Sequence, residues 1–168
     1  FINTTGENNT AIGREALRSN TTASNNTAVG YNAAYSNSTG AQNTAVGTNA
    51  LDANTTASFN TVLGFEAASA NTTGNENTAV GHQAMLNNTI GSDGTAVGRA
   101  ALASNTEGDF NTAIGFNSLY SNTTASSNTA VGYAALYSNT TSNGSVAVGE
   151  NALNASTGAY NTAIGTGA

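Results

Sequence analysis

Residues 128–141 read NTAVGYAALYSNTT, and close variants of this stretch recur along the whole chain. The glycine in it, Gly132, has counterparts every 17 residues from Gly13 to Gly149, and a further one, Gly165, after 16. With this glycine as position 0, the unit reads GxxALxSNTTGxxNTAV, and each position keeps its character from copy to copy. A fixed internal period is the signature of a repeat architecture, so the sequence predicts a repeat protein.

The length and composition of the unit indicate extended rather than helical coils. A helical repeat needs a pair of helices, for which 17 residues are too few. Asn, Thr and Gly are poor helix formers, whereas Thr-Ala-Val and Ala-Leu suit short strands separated by turns. The sequence therefore predicts an all-β fold, a parallel β-solenoid of about ten 17-residue coils with two short strands each. We expect one array over residues 1–168, as a segment of a longer tandem-repeat protein.

The constant positions indicate what lies inside the solenoid. Position 16 is a branched aliphatic residue in every copy, and position 4 is mostly Leu. We expect these two positions, with Ala packed around them, to fill a narrow core. We expect the Asn residues at positions 7 and 13 to form ladders or turn caps along the axis. Because so thin a core buries little apolar area, we also expect self-association into a fibre or homo-oligomer.

The composition excludes several classes of function. Charged residues make up 7% of the chain, which carries a net charge of −6, three Lys or Arg and no Cys. A nucleic-acid partner is therefore not expected, nor is a disulfide framework or a thiolate site. No apolar run reaches the roughly 20 residues of a membrane span. The scarcity of charge fits the stack, because one charge repeated about every 4.8 Å along a column would repel itself.

Asn-x-Ser/Thr, the acceptor pattern for N-linked glycans, occurs repeatedly in the sequence. At position 7 a turn is expected to expose one acceptor in each coil, so covalent glycans are a possible addition to the chain. The alternative is that the pattern merely reflects a composition rich in Asn and Thr. The glycosylation candidates at this position are Asn3, Asn20, Asn37, Asn54, Asn71, Asn122 and Asn139.

Acidic residues form one cluster in neighbouring repeats. Glu76 and Asp93 share position 12 in adjacent coils, with Glu107 and Asp109 close to that position in the next coil. Carboxylates at such spacing can hold Ca²⁺, but no basic or histidine chemistry accompanies them, so solvated surface carboxylates are the preferred interpretation. We expect no cofactor and no metal. An enzyme is not expected either, because no general acid, base and nucleophile occur together.

Aromatic residues follow the same register as the rest of the repeat. Phe116 and Tyr133 share position 1 in adjacent coils, and Tyr120 and Tyr137 share position 5. We expect the two members of each pair to stack. Such stacks either shield neighbouring coils or a subunit contact, or they form a carbohydrate-stacking site.

The run NTAVGxxALxxNTT, most specific from Asn128 to Leu136, resembles two related groups of repeats. One is the head repeat of trimeric autotransporter adhesins, and the other is the tail-fibre and surface-fibre repeat of phages and large viruses. The period differs, because the adhesin-head unit is somewhat shorter than 17 residues. The resemblance implies a left-handed parallel β-roll, a possible trimer, and a place outside the cell or on a cell or virion surface.

The repeat and the resemblance together predict a structural extracellular fibre, filament or stalk protein. One alternative is a surface adhesin or the receptor-binding module of a tail fibre. Another is an ice-binding protein, because regular Thr columns on a flat solenoid face can order water.

Overall fold

The chain forms a parallel β-solenoid, as predicted, in a computed structural model that describes residues 2–168. The strands join into a single ten-stranded sheet in chain order, and every neighbouring pair is parallel. Pairing advances by one repeat per coil, so that Thr112 pairs with Thr129 and Ala113 with Ala130. The strands are β1 (Thr10–Ile12), β2 (Thr27–Val29), β3 (Thr44–Val46), β4 (Thr61–Leu63), β5 (Thr78–Val80), β6 (Thr95–Val97), β7 (Thr112–Ile114), β8 (Thr129–Val131), β9 (Val146–Val148) and β10 (Thr162–Ile164).

Each coil contains one strand, so the prediction of a second strand in the Ala-Leu segment is wrong. This segment is a series of turns with left-handed backbone at positions 2 and 4, for example at Asn117 (φ 57°) and Leu119 (φ 49°). Left-handed conformations are uncommon for residues other than glycine. Leu119 adopts one while its side chain is fully buried, so packing of the leucine helps to offset the conformational cost.

The side chains at positions 15, 3 and 4 form the core. The prediction that position 16 also lies inside is wrong. In β7, Ala113 is fully buried whereas Ile114 is 40% exposed. Successive strand residues point to opposite faces, so positions 14 and 16 share the outer face while position 15 points inward. The prediction for position 4 is confirmed, because Leu51 and Leu102 are fully buried in the interior.

Asn side chains form two ladders inside the solenoid, as predicted. Asn122 Nδ2 donates to Asn105 Oδ1 in the preceding coil at 2.8 Å and to the Ala125 carbonyl in its own coil at 2.9 Å. The Asn128 backbone N–H donates to Asn111 Oδ1 at 3.0 Å, and Asn111 Nδ2 donates to the same Ala125 carbonyl at 2.7 Å. The two ladders therefore meet at the carbonyl of position 10, whose two lone pairs are both used.

The recurring glycine at position 0 follows from close contact between coils. Gly115 has φ 133°, and a Cβ atom there would lie 2.5 Å from the carbonyl oxygen of Gly132 in the next coil. No side chain fits in that space, and the backbone angle is one that only glycine adopts readily. The recurrence of glycine once in every coil thus reflects the close approach of successive coils.

Candidate functional site

The acidic cluster does not assemble into a metal site. Within residues 2–168, no group of three or more His, Asp or Glu side chains is placed to hold a metal ion. Glu76, Asp93 and Glu107 are exposed, and Asp109 Oδ1 instead accepts a hydrogen bond from the Ser92 backbone N–H at 2.8 Å. In the same part of the chain there is no helix with the length and apolarity to cross a membrane.

The seven glycosylation candidates do not form an exposed column, so the expectation of accessible acceptors is wrong. Asn3 is half-buried, and the other six are at most 1% exposed. Asn54 Nδ2, for example, donates to Asn37 Oδ1 at 2.7 Å and to the Ala57 carbonyl at 3.0 Å. The nitrogen that would carry a glycan is thus enclosed and hydrogen-bonded, and a glycan on any of the six buried residues is incompatible with the folded coil.

The outer face of the ten-stranded sheet, which we call the sheet face, consists of the outward residues at positions 14 and 16. Position 14 is Thr in every strand except β9, and position 16 is Val, Ile or Leu in all ten. No charged residue occurs in either column. Because the strands are in register, the sheet face is a regular pattern of hydroxyl and methyl groups along the solenoid axis.

Exposed large apolar side chains concentrate on and beside the sheet face. Position 16 contributes some of them, and the bordering positions 12 and 1 contribute the others. Apart from Ile2 and Ile90, every exposed large apolar side chain among residues 2–168 belongs to these three positions: Ile12, Tyr31, Phe59, Leu63, Phe65, Val97, Phe110, Ile114, Tyr133, Tyr160 and Ile164. The exposed large apolar side chains thus lie mostly on one side of the rod, whereas positions 6, 8 and 9 elsewhere on the coil are mostly Ser, Thr, Asn and Ala. Positions 12 and 1 on the apolar-rich side also carry charged residues: Arg14, Glu76, Asp93, Arg99 and Glu150.

The predicted aromatic stacks are confirmed. The ring centroids of Phe116 and Tyr133 are 5.6 Å apart, and those of Tyr120 and Tyr137 are 5.2 Å apart with the planes within 5° of parallel. The Arg99 guanidinium lies over the Phe116 ring, 5.4 Å from its centroid, which extends the position 1 column by one coil. These contacts follow from the register, because side chains at the same position lie one coil spacing apart.

A groove opens between the aromatic columns of positions 1 and 5. It has a volume of about 240 Å³, with Arg99 and Phe116 on one side and Tyr120 and Tyr137 on the other. Position 2 also contributes to the lining, through Ala100 and Asn117. We call this the aromatic groove. The stacked rings of Tyr120 and Tyr137 form one side of the groove.

A larger hollow, of about 490 Å³, lies at the first coil of the stack. Its lining includes Ala11, Gly13 and Ala16, which belong to positions that pack against a neighbouring coil further along the solenoid. At its edge the Arg18 guanidinium lies 3.0 Å from the Glu15 carboxylate and donates to the Tyr35 hydroxyl at 2.7 Å. This hollow is a stacking surface of the coil rather than a site shaped for a small ligand.

One carboxyl group is placed unfavourably for its charge. Asp52, at position 5, is half-buried, and its Oδ1 atom is enclosed without a hydrogen-bond partner. Burial raises the pKa of Asp52, and the nearby Glu66 carboxylate raises it further. Among residues 2–168, Asp52 and Glu66 are not part of a group of three or more His, Asp or Glu side chains that could hold a metal ion. The raised pKa makes the charge of Asp52 a contribution to the pH dependence of stability.

Sequence reasoning located the aromatic stacks, the Asn ladders and the exposed Thr column, but it missed that position 16 shares the sheet face, and it missed the aromatic groove. The near-constant Ala at position 15 was the available signal for the sheet face, since a small residue between two larger β-branched ones marks the inward side of a strand. No sequence pattern indicated the groove. It forms because the turns bring positions 1 and 5 onto neighbouring parts of the coil, and the residue types do not reveal the path of those turns. No protein-family model matches the chain, and neither a curated protein nor a solved structure matches it.

Proposed function

We propose that this chain is a structural rod, a segment of an extracellular or surface-borne fibre or stalk. The observation that carries the proposal is the uninterrupted stack of ten coils in one register, without an inserted loop or a second layer. Backbone and Asn ladders both join each coil to the next, so they resist bending and separation along one axis. Nine intervals of about 4.8 Å give a rod about 43 Å long.

The proposed rod associates with further copies of itself through the sheet face. With its bordering columns at positions 12 and 1, this side of the rod is at most about 20 Å wide, which over its length makes at most about 850 Å² of surface. The bordering columns carry aromatic residues and also charged ones: Arg14, Glu76, Asp93, Arg99 and Glu150. A standard protein interface buries about 800 Å² on each partner, and monomers rarely expose an apolar patch larger than a few hundred Å². This side of the rod therefore approaches the size of a standard interface, and its two central columns, the sheet face, carry no charge.

Sedimentation velocity on the purified chain tests the proposed association. We expect a mass of at least two chains, each of 16.6 kDa. Val80→Glu with Val131→Glu places two carboxylates on the sheet face three coils apart. Burying unpaired charge is costly, so we expect this variant to dissociate at concentrations at least about tenfold higher than those that dissociate the native chain.

The matched control is Thr73→Glu with Thr124→Glu, which adds the same two charges at the same spacing on exposed position 9. This control is expected to associate like the native chain. If the native chain sediments as one copy, or if both double variants dissociate equally, the sheet face is not the interface between rods.

A second function, ice binding, is favoured by one specific observation on the sheet face. Thr at position 14 and Val or Ile at position 16 lie side by side on the outer surface in a repeating array without charge. Hydroxyl and methyl groups at regular spacing suit an ordered layer of water. Thermal hysteresis of a dilute solution separates the two functions: the structural rod predicts none, whereas a clear hysteresis that Val80→Glu with Val131→Glu abolishes would establish ice binding in its place.

A further inference from the structure

The aromatic groove lies where Tyr occupies position 5 in two adjacent coils, Tyr120 and Tyr137, and these rings stack. A further Tyr at this position, Tyr35, has no Tyr at the same position in either neighbouring coil. A solenoid needs no Tyr at position 5 to close its coil, because the coils with Ser69, Leu86 and Ala103 close without it. The stacked Tyr pair is therefore an addition that closure of the coil does not require.

A positive charge lies at the same place. Arg99 is the only Lys or Arg after residue 18 in a chain of net charge −6. The one ion pair within residues 2–168 joins Arg18 to Glu15, so Arg99 has no carboxylate partner there. Its guanidinium is exposed and is held over the Phe116 ring at the edge of the groove. A positioned, unpaired guanidinium is suited to bind a carboxylate from outside, because its parallel N–H groups match the two carboxylate oxygens.

The remaining polar groups of the groove are suited to form hydrogen bonds with hydroxyl groups of a ligand. Tyr120 and Tyr137 contribute phenol hydroxyls, which both donate and accept, and Asn117 contributes a side-chain amide. Gln83 Nε2 already donates to Glu66 Oε2 at 2.9 Å, which leaves the Gln83 amide oxygen as an acceptor. The rings of Phe116, Tyr120 and Tyr137 supply apolar lining. A volume of about 240 Å³ holds one sugar ring and is smaller than the roughly 300–1,000 Å³ of pockets for drug-sized ligands.

We propose that the aromatic groove binds an acidic sugar unit, with the sugar carboxylate on Arg99 and the sugar hydroxyls on Tyr120, Tyr137 and Asn117. The stacked rings hold these groups in place, so little conformational entropy is lost on binding. Binding at one surface groove with a single charged contact is weak, with a millimolar dissociation constant for one sugar unit. The proposal is independent of the association of rods, because the groove is complete within one chain.

The test is a titration of the ¹⁵N-labelled full chain with methyl glucuronide and, separately, with methyl glucoside, followed by NMR chemical shifts. We expect methyl glucuronide to shift signals around Arg99 and Asn117, with weaker binding at higher salt because the contact is ionic. We expect methyl glucoside, which has the same ring without the carboxylate, to bind at least about tenfold more weakly.

Three variants make the outcome decisive. Arg99→Gln should lose binding of methyl glucuronide at least about tenfold, and Tyr137→Phe should weaken it several-fold while preserving the stack. Arg14→Gln removes the same charge from another arginine that lies over an aromatic ring, Tyr31, away from the groove, and should bind like the native chain. Binding of the glucoside equal to that of the glucuronide, unchanged binding by Arg99→Gln, or no binding by the native chain would each overturn the proposal.

Discussion

At the scale of single residues, the buried Asn side chains show best how this sequence is constrained. An Asn at position 7 must both donate and accept along the axis, and its second donor must reach the carbonyl of position 10. Asp, Ser and Thr have the wrong donor and acceptor sets or the wrong reach for this role. The ladder was predictable from the sequence because identical polar residues recur in register. Their burial was not, because Asn-Thr-Thr is equally typical of an exposed turn.

Asn122→Asp tests the ladder at one residue. The carboxylate would replace the amide that donates to Asn105 and to Ala125, and it would bring a charge into the interior. We expect a loss of about 3 kcal/mol or more in the free energy of unfolding, measured by denaturant titration. Asn87→Asp is the matched control, because Asn87 is exposed at position 6, and it should change stability by less than about 0.5 kcal/mol. Equal effects of the two substitutions would contradict a buried ladder.

Asp52→Asn tests the carboxyl group whose pKa burial raises. A raised pKa in the folded state means that folding takes up a proton, so Asp52 lowers stability as the pH rises above its unfolded pKa of about 3.9. Asp52→Asn should therefore stabilise the chain at neutral pH, by less than about 1 kcal/mol because the side chain is half exposed. The gain should shrink on acidification. Thermal melts between pH 3 and pH 7 measure this, with Asp93→Asn, an exposed site, as the control expected to show no such gain.

At the scale of the coil, the strand triplet shows where sequence reasoning failed and why. Assigning the aliphatic of position 16 to the core followed hydropathy, whereas strand geometry places it opposite the buried position 15. The short second strand was a natural expectation for Ala-Leu, but left-handed residues at positions 2 and 4 turn the chain there instead. The residue types do not predict a left-handed backbone conformation at Leu, because this conformation is stabilised by packing in the assembled stack.

One coil departs from the repeat at two positions, and the two departures compensate for each other in packing. Gly94 stands where every other coil except that of Ser145 has Asn at position 13, and Met85 stands where most coils have Leu at position 4. A Cβ atom at Gly94 would lie 2.6 Å from Met85 Cε, so the longer side chain fills the space of the missing amide. The two departures from the repeat therefore depend on each other.

A double-mutant cycle tests this coupling. Gly94→Asn alone should destabilise the chain by about 2 kcal/mol through overpacking, and Met85→Leu alone by less than about 1.5 kcal/mol. Together they restore the common coil, so the combined variant should unfold near the native midpoint, with a coupling of about 1–3 kcal/mol. Ser145→Asn is the control, since Leu136 already occupies position 4 of that coil. Effects that simply add would show that Met85 and Gly94 do not compensate for each other.

At the scale of the whole molecule, the period alone was enough to predict the architecture. Seventeen residues without insertions allow one extended coil, and Gly115 with its counterparts shows how closely the coils approach. The features on which the proposals rest were harder to predict from the sequence. The sheet face and the aromatic groove depend on which positions the turns bring to the same side of the rod, and those turns are set by left-handed residues such as Asn117 and Leu119.

Small-angle X-ray scattering on an absolute scale, from the native chain in solution, measures the mass and the shape of the particle together. A structural rod that associates through its sheet face should give an elongated particle, about 43 Å or more in length, with at least twice the 16.6 kDa mass of one chain. A compact particle with the mass of one chain would contradict both the rod and its association.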